Sequence, residues 1–419
     1  MSSSPKPLQV NPIKLSAPMG AHLAILGVDS TMPVIHGAQG CSNYSKVLFT
    51  RHFNEPIAVC STAVNDITAI MDGGKEIAEA VKNISSKVNP ALIAIISTGL
   101  TETKGDDIAN ASKKLDHDAI YIHTPDYHGG LEFGFVEAQK ALIDQLVDKS
   151  DTTDCSIATI LPNVNISPIE VEKLKEFVNN FGFLAYALPD ISTALDGHLG
   201  KKQGQVAQGG IKKDNIKSLA KSSIVISIGD STKRSAKALM KKNPNIKHIH
   251  LDSIHGLDSS DKLASELINI KNIKPPKSLR RWRERLQDIY LDSHFLMGKT
   301  KVAIALEADE AYGVAKLLAE VGATTKYIFT PTKSGLDFSA VCQSHSLGDL
   351  EDLEKIANEV DILITNSHGK SISKNFHKPL LLRGFPDYDN IGVGLKNDIL
   401  YEGGCYLLKS IVSSLKECE

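Results

Sequence analysis

Cysteine is scarce in this sequence, which has only six among 419 residues, and no two of them form a CxxC pair. Scattered cysteines of this kind do not make the disulfide framework of a small secreted protein. The compact four-cysteine pattern of zinc and iron–sulfur sites is absent as well. A metal cluster bound by this chain would therefore need further ligands from a second chain.

Charge imbalance and long apolar runs are also missing. The net charge is only -2 at pH 7, so nothing indicates binding to nucleic acid or to an anionic membrane. No apolar run reaches the roughly 18–20 residues that a membrane span requires. The amino-terminal stretch MSSSPKPLQVNPIKLS is polar and lacks the apolar core of a secretory signal. We therefore expect a cytoplasmic protein.

The familiar catalytic motifs are absent too. The sequence has no GxxxxGK[ST] phosphate loop, so we do not expect the chain to hydrolyse ATP. It also lacks a GxGxxG motif between a strand and a helix, and it has neither HExxH nor GxSxG. No conventional enzyme class is indicated by local motifs.

Short apolar runs alternate with helical segments along the whole chain. The runs are bounded by Gly, Pro, Asn, Asp or Thr and have the length of buried parallel strands. This alternation predicts an α/β fold with parallel sheets and helices on both faces. The predicted strands are Met32–Ile35, Ala91–Ser97, Ala119–His123, Ser156–Leu161, Leu184–Leu188, Ile224–Ile228, Lys247–Leu251, Val302–Leu306, Tyr327–Thr330 and Ile362–Thr365.

Two breaks divide the chain into three predicted Rossmann-like domains. The polar stretch DKSDTTD follows a long helical segment, and IKPPK cannot continue a helix because proline lacks the backbone donor. The predicted domains are residues 1–150, 151–275 and 276–419, each within the usual domain size.

The most suggestive local motif is HGAQGC, residues 36–41, which follows the first predicted strand. Its glycines would let the backbone approach a bound group closely, and the amino end of a following helix would favour a thiolate at Cys41. An iron–sulfur cluster needs a thiolate ligand and backbone donors. From the local pattern alone, a buried and inert cysteine at a tight turn is the more common situation.

Several strand-end motifs, taken together, resemble the nitrogenase component 1 family over nearly the whole chain. That family implies a nitrogenase component 1-like fold of three Rossmann-like domains. Each motif is weak alone, but their number and order make the resemblance specific. They are LSAPMGA, HGAQGC, RHFNEP, STGLTETKGDD, TPDYHGGLEFG, LPDIS, LDGH, RLQDIYLDSHF, NSHGK and RGFP.

The resemblance places the cysteines of the catalytic β subunit, which hold its eight-iron cluster, at three positions of this chain. These positions carry Ser16, Cys41 and Gly99, so two of the three ligands are missing. This pattern resembles the cofactor-assembly scaffold branch, where one cysteine joins a four-iron four-sulfur cluster whose other three ligands come from the partner subunit NifE. The resemblance therefore implies Cys41 as metal ligand, with His36, Gly40 and Gly99 as neighbours that do not bind directly.

Two other positions separate this chain from the catalytic subunits. Catalytic β subunits can carry a serine ligand in the motif TPDYHGG, where this chain has Gly130. Cys60 matches no ligand position of the family, and we interpret it as structural.

The function that the resemblance implies is assembly of a cofactor. NifE and its smaller partner form a heterotetramer, and an iron–molybdenum cofactor precursor made by NifB is held transiently, mainly by NifE. The reductase NifH docks and brings electrons, molybdenum and homocitrate, after which the matured cofactor passes to the catalytic component. No independent catalytic activity is expected of this chain, despite its oxidoreductase ancestry.

Three alternatives stay open at this point. The chain could be the β subunit of a catalytic nitrogenase or a nitrogenase-like reductase, which Ser16 and Gly99 disfavour. It could serve the same scaffold role in a vanadium system, which the residues do not distinguish. It could also be a non-redox α/β binding protein in which Cys41 is merely buried.

Overall fold

The computed structural model describes residues 9–70, 73–197 and 204–416. His198 of the LDGH motif and Cys418 lie outside these described residues. The described chain contains three separate parallel sheets with helices packed around them, which confirms the predicted α/β class.

The first sheet has the strand order β2-β1-β3-β4, and its two central strands are buried along their whole length. Its strands are β1 (Thr31–Ile35), β2 (Cys60–Ser61), β3 (Leu92–Ile96) and β4 (Ala119–Ile122). The surrounding helices are α1 (Ala17–Leu26), α2 (Gln39–Phe53), α3 (Gly74–Lys87), α4 (Gly99–Lys104), α5 (Ile108–Lys113) and α6 (Leu131–Leu146).

The second sheet has the order β6-β5-β7-β8. Its strands are β5 (Asp154–Leu161), β6 (Leu184–Ala187), β7 (Ser222–Ile228) and β8 (Lys247–Leu251). The accompanying helices are α7 (Pro168–Asn179), α8 (Lys213–Lys217), α9 (Lys233–Lys242) and α10 (Gly256–Lys271). A capping box fixes the start of α7, because Ser167 and Glu170 each accept a hydrogen bond from the other's backbone N–H.

The third sheet has the order β11-β10-β9-β12-β13. Its strands are β9 (Lys301–Ala305), β10 (Thr324–Thr330), β11 (Ser344–Leu347), β12 (Ile362–Thr365) and β13 (Leu380–Leu382). The helices of this part are α11 (Lys277–Met297), α12 (Ala308–Glu320), α13 (Leu350–Ile356), α14 (Lys370–Phe376) and α15 (Leu400–Lys416).

All ten strands predicted from apolar runs are present, while β2, β11 and β13 were not predicted. The three missed strands are short edge strands, and β11 has the sequence SHSL with mostly exposed side chains. The sheets themselves fall within residues 31–122, 154–251 and 301–382. The domain boundaries near residues 150 and 275 stay predictions.

Close packing of α1 against α6 fixes the amino-terminal part of the chain. A Cβ added to Gly134 would lie 1.7 Å from the carbonyl oxygen of Ala17, and one added to Gly20 would lie 2.0 Å from that of Leu131. The two backbones therefore touch directly, which only glycine permits at these positions. Among the described residues, no helix combines the length and the hydrophobicity that crossing a bilayer would require.

Candidate metal-cluster site

Cys41 lies in the first turn of α2, directly after the loop that leaves β1. Its backbone N–H donates a hydrogen bond to the carbonyl oxygen of Ala38 at 3.1 Å, and the residue is exposed. No heavy atom lies within 4 Å of the position that a Cβ on Gly40 would occupy. The open space beside Gly40 leaves room for a second chain to approach Cys41. The expectation of a buried cysteine at this turn is therefore wrong for Cys41.

The thiol of Cys41 is not activated within this chain. Partial burial raises its pKa, and the negative charge of Asp126 raises it further. In the chain alone the pKa is raised and the thiolate is not favoured, because burial and the Asp126 carboxylate outweigh the backbone hydrogen bond that lowers the pKa. Cys41 is thus a poor nucleophile at neutral pH, and a metal would have to displace its proton.

His36 is buried and fully engaged within the chain. Its Nδ1 lies 2.9 Å from the hydroxyl of Thr62, and its Nε2 lies 3.0 Å from a carboxylate oxygen of Asp106. Burial lowers the pKa of His36 despite the raising effect of Asp106. The hydroxyl groups of Thr98 and Thr101 both donate to its carbonyl oxygen at 3.0 Å. His36 therefore holds the loop before Cys41 in place.

Gly99 and Ser16 each stand at the start of a helix. Gly99 is the first residue of α4, where a Cβ would lie 3.4 Å from the Oδ2 of Asp126. Ser16 is the N-cap residue of α1, but its own side chain makes no capping hydrogen bond. Instead, the Oδ1 of Asp126 accepts a hydrogen bond from the backbone N–H of Ala17 at 2.8 Å.

Asp126 therefore interacts with the surroundings of all three family positions. It contacts the residue after Ser16, it faces Gly99, and its charge acts on Cys41. The Nζ of Lys14 donates to the backbone carbonyl of Asp126 at 3.0 Å and fixes the loop that follows β4. Asp126 is not among the candidate residues predicted from the sequence, although the strand-end motif TPDYHGG contains it.

Exposed apolar side chains follow Cys41 along α2. Gly40, Tyr44 and Val47 follow one another at intervals of four and three, so they share one face of α2. Tyr44 and Val47 are 55% and 56% exposed, respectively. Leu100 follows Gly99, and Tyr127 follows Asp126; both are exposed as well. The apolar face of α2, defined as Tyr44 and Val47, is typical of a surface that another protein covers.

Cys41 is the single thiol at this site within the described part of the chain. Among the described residues, one group of three acidic, His or Cys side chains has its ligand atoms close enough together to hold one metal ion. That group is Asp349, Glu351 and Asp352, in the part of the chain that forms the third sheet. A cluster at Cys41 would therefore need its remaining ligands from another chain. One exposed thiol beside an open glycine and an apolar face fits a shared cluster of this kind.

Two further positions were singled out in the sequence. Cys60 lies in β2 beside the central strand β1, where partial burial raises the pKa of its thiol, and its structural role stays a prediction. A Cβ on Gly130 would lie 3.0 Å from the carbonyl oxygen of Leu15, so any side chain at this position would require the neighbouring backbone to shift.

Comparison with known proteins identifies the fold and the relatives. The family model "Nitrogenase component 1 type Oxidoreductase" matches residues 16–416. A chain of "Nitrogenase Cp1 at pH 6.5" superposes with a TM-score of 0.93 at 28% identity, covering 100% of this chain and 95% of that chain. A chain of "Nitrogenase Cp1 at pH 5" matches with a TM-score of 0.70 at 13% identity, which supports the fold alone.

Three relatives described as "Nitrogenase iron-molybdenum cofactor biosynthesis protein NifN" match almost end to end. The one from Rippkaea orientalis is 34% identical over 95% of this chain and 92% of its own length. The Mesorhizobium japonicum protein is 35% identical over 95% and 89%, and the Nostoc sp. protein is 33% identical over 97% and 93%. With the family model and the near-complete alignments in agreement, this chain belongs to the nitrogenase component 1 family, in its NifN branch.

Proposed function

We propose that this chain is the smaller subunit of the scaffold on which the iron–molybdenum cofactor precursor of nitrogenase is matured, and that Cys41 supplies one ligand of a four-iron four-sulfur cluster shared with NifE. The observation that carries this proposal is the exposed Cys41 thiol at the open start of α2. The serine and glycine at positions 16 and 99 support a cluster with only one ligand from this side.

The proposed partner contact is the apolar face beside Cys41. Tyr44 and Val47 lie on the same side of α2 as Gly40, so a partner that covers them also reaches the thiol. Burying exposed aromatic and aliphatic side chains around one metal ligand would exclude water from the cluster. We infer that NifE covers this face in a heterotetramer of the two kinds of subunit.

The precursor itself is proposed to be held mainly by NifE. No thiol other than Cys41 lies at the described part of the site, and His36 is already bonded at both ring nitrogens. The same proposal includes docking of NifH, which brings molybdenum and homocitrate, supply of the precursor by NifB and transfer to the catalytic component.

In this proposal the residues of this chain bind and position the shared cluster, and they catalyse no formation or cleavage of bonds. When bound, a four-iron cluster supplies one-electron transfer. His36 and Thr98 hold the loop that presents Cys41, and the α1–α6 crossing fixes the strand-end loops around it. No catalytic residue is assigned to this chain.

The test is Cys41→Ala in the complex purified with NifE. We expect the iron of one four-iron cluster to be lost per pair of subunits, together with the EPR signal of the reduced cluster. Cys60→Ala is the matched control, because Cys60 is a free cysteine of the same sheet that should retain the full iron content. Unchanged iron and EPR signal in Cys41→Ala would exclude the ligand role.

A further inference from the structure

Asp309 connects the parts of the chain that form the three sheets. It lies in the first turn of α12, shortly after β9 of the third sheet. Its backbone N–H donates a hydrogen bond at 2.8 Å to Oε1 of Glu132, which lies on α6 beside the first sheet. Its Oδ1 accepts from the backbone N–H of Asp230 at 2.8 Å, and its Oδ2 accepts from the hydroxyl of Ser231 at 2.5 Å; both residues follow β7 of the second sheet. One residue therefore bonds to all three parts.

The contacts of Asp309 continue along the wall of a cavity. The Oδ2 of Asp230 accepts a hydrogen bond from the backbone N–H of Gly335 at 2.9 Å, in the loop after β10. The cavity has a volume of about 520 Å³ and lies between strand-end loops of all three sheets. Its titratable wall residues include Lys14, His128, Glu132, Asp230, Arg234 and Lys333. Separation of the sheets at Asp309 would therefore open this cavity.

Three buried carboxyl groups lie at or against the start of α12. Asp309, Glu132 and the N-cap residue Glu307 are only 2%, 6% and 5% exposed, respectively. Neither oxygen of Glu307 has a hydrogen-bond partner. A buried carboxylate is costly unless it is paired, and neighbouring carboxylates repel one another. Burial and repulsion both favour protonated forms of these groups.

The positive side chains near this junction are engaged elsewhere or exposed. Lys14 donates to a backbone carbonyl, and the Nζ of Lys233 lies 2.9 Å from a carboxylate oxygen of Asp230. Arg234 pairs with a glutamate of α6, and Lys333 is exposed. The buried carboxyl groups are therefore not neutralised by these four cations, and protons must supply the balance.

The acidities of the three groups agree with this arrangement. Burial is the largest cause that raises the pKa of Glu132, Glu307 and Asp309. The charge of Asp309 raises the pKa of Glu132 and Glu307 further, and Lys14 only partly offsets this at Glu307. The pKa of Asp309 rises from 3.8 to about 7, and that of Glu307 from 4.5 to about 8. The closed junction thus binds more protons than a solvated, open one.

We propose that the junction at Asp309 is a proton-sensitive latch, which holds the three sheets around the cavity while its carboxyl groups are protonated and loosens when they ionise. Loss of protons leaves neighbouring buried charges, and separation of α6, α9 and α12 relieves their repulsion by admitting water. The contribution of the protons to closure is complete below about pH 4 and is lost as pH rises through the range of about 7 to 8. This latch goes beyond the proposed function and does not depend on a cluster at Cys41.

The experiment is hydrogen exchange of the complex purified with NifE, measured by mass spectrometry at pH 6 and at pH 9. Protection factors correct for the pH dependence of the intrinsic exchange rate. We expect the protection of the backbone N–H groups of Asp230, Ser231 and Asp309 to fall at least about tenfold between the two pH values. The N–H of Ala303, in the buried strand β9, should keep its protection, because the sheet itself stays folded.

Glu132→Gln and Asp309→Asn each remove one acid from the latch. Both variants keep a side-chain oxygen that can accept from the same backbone N–H group, so the contact is retained without the titration. We expect their loss of protection between pH 6 and pH 9 to be at least about threefold smaller than that of the wild type. Asp337→Asn is the matched control, because Asp337 is exposed and accepts a hydrogen bond from the backbone N–H of Ser339 at 3.1 Å. It should keep the wild-type pH dependence.

Three results would overturn the latch. The first is equal protection of the junction at pH 6 and pH 9 in the wild type. The second is a wild-type pH dependence in Glu132→Gln and Asp309→Asn; if one of these variants does not fold, the other decides. The third is a parallel loss of protection at Ala303, which indicates unfolding of the sheet in place of opening at the junction. Because no iron is measured, failure of the latch is distinct from failure of the proposed function.

Discussion

The carboxylate of Asp126 accepts a hydrogen bond from the backbone N–H of Ala17 at 2.8 Å, across 109 residues of sequence. It caps α1 in place of Ser16, whose own side chain makes no capping bond. This contact joins the loop after β4 to the first helix, beside Gly99. The geometry around Cys41 therefore depends on long-range packing as well as on the HGAQGC motif.

The α1–α6 crossing that supports this geometry should not tolerate a methyl group. In Gly134→Ala, the new Cβ would lie 1.7 Å from the carbonyl oxygen of Ala17, so the helices must separate. We expect the free energy of unfolding to fall by about 1–3 kcal/mol or more. Urea unfolding of the chain measures this change.

Gly40→Ala is the control for that substitution. It adds the same methyl group to α2, at a position where no heavy atom lies within 4 Å of the new Cβ. We expect its stability to equal or slightly exceed that of the wild type, since alanine favours helix. Equal stability of the Gly134 and Gly40 variants would contradict the close crossing.

A buried carboxyl group should make stability fall as pH rises. Burial, reinforced by the charge of Asp309, raises the pKa of Glu307 from 4.5 to about 8, and neither of its oxygens has a hydrogen-bond partner. The folded chain thus binds more protons than the unfolded chain between these two pH values. Stabilisation by the protonated form is complete below pH 4.5 and is lost as pH rises through 8.

Glu307→Gln removes this titration. We expect the variant and the wild type to unfold at similar temperatures near pH 4, and the variant to be more stable at pH 9 by about 3 kcal/mol or more. Thermal unfolding across this pH range measures the difference. The control is Glu172→Gln, which changes an exposed glutamate of α7 and should leave the pH profile unaltered. A parallel profile for Glu307→Gln would show that Glu307 is ionised in the folded chain.

The apolar face should contribute to partner binding. In Val47→Glu, a charge replaces a 56%-exposed aliphatic side chain on α2, and we expect weaker association with NifE by at least tenfold. Copurification yield and the dissociation constant from titration measure this loss. Leu184→Glu is the matched control, because Leu184 is 52% exposed on the second sheet. Equal affinity of the two variants would place the partner on another surface.

The fold was predictable where local patterns are strong. The apolar runs of β1, β3 and β9 predict buried strands because their side chains are apolar on both faces. The strand β11 was missed, since SHSL has no apolar run and pairs only because β10 offers an open edge. Helix α1 is buried all round and lacks the one-sided periodicity that marks a surface helix, so its sequence pattern does not single it out.

The site was predictable only in part. HGAQGC predicted a turn with a helix after it, which the structure has, but not whether Cys41 is exposed. Exposure depends on what packs beside Gly40, and that is a tertiary property. The raised pKa of Cys41 also has a tertiary origin, since it comes from partial burial and then from the charge of Asp126, 85 residues away in sequence. Local reasoning had no means of pairing these two residues.

The most direct test of the central claim is a crystal structure of the complex with NifE, recorded with anomalous scattering at the iron edge. We expect four iron sites at the subunit interface, with one of them bonded to the Sγ of Cys41 and the other three bonded to ligands from NifE. Eight iron sites at this interface, or a four-iron cluster with no bond to Cys41, would contradict it.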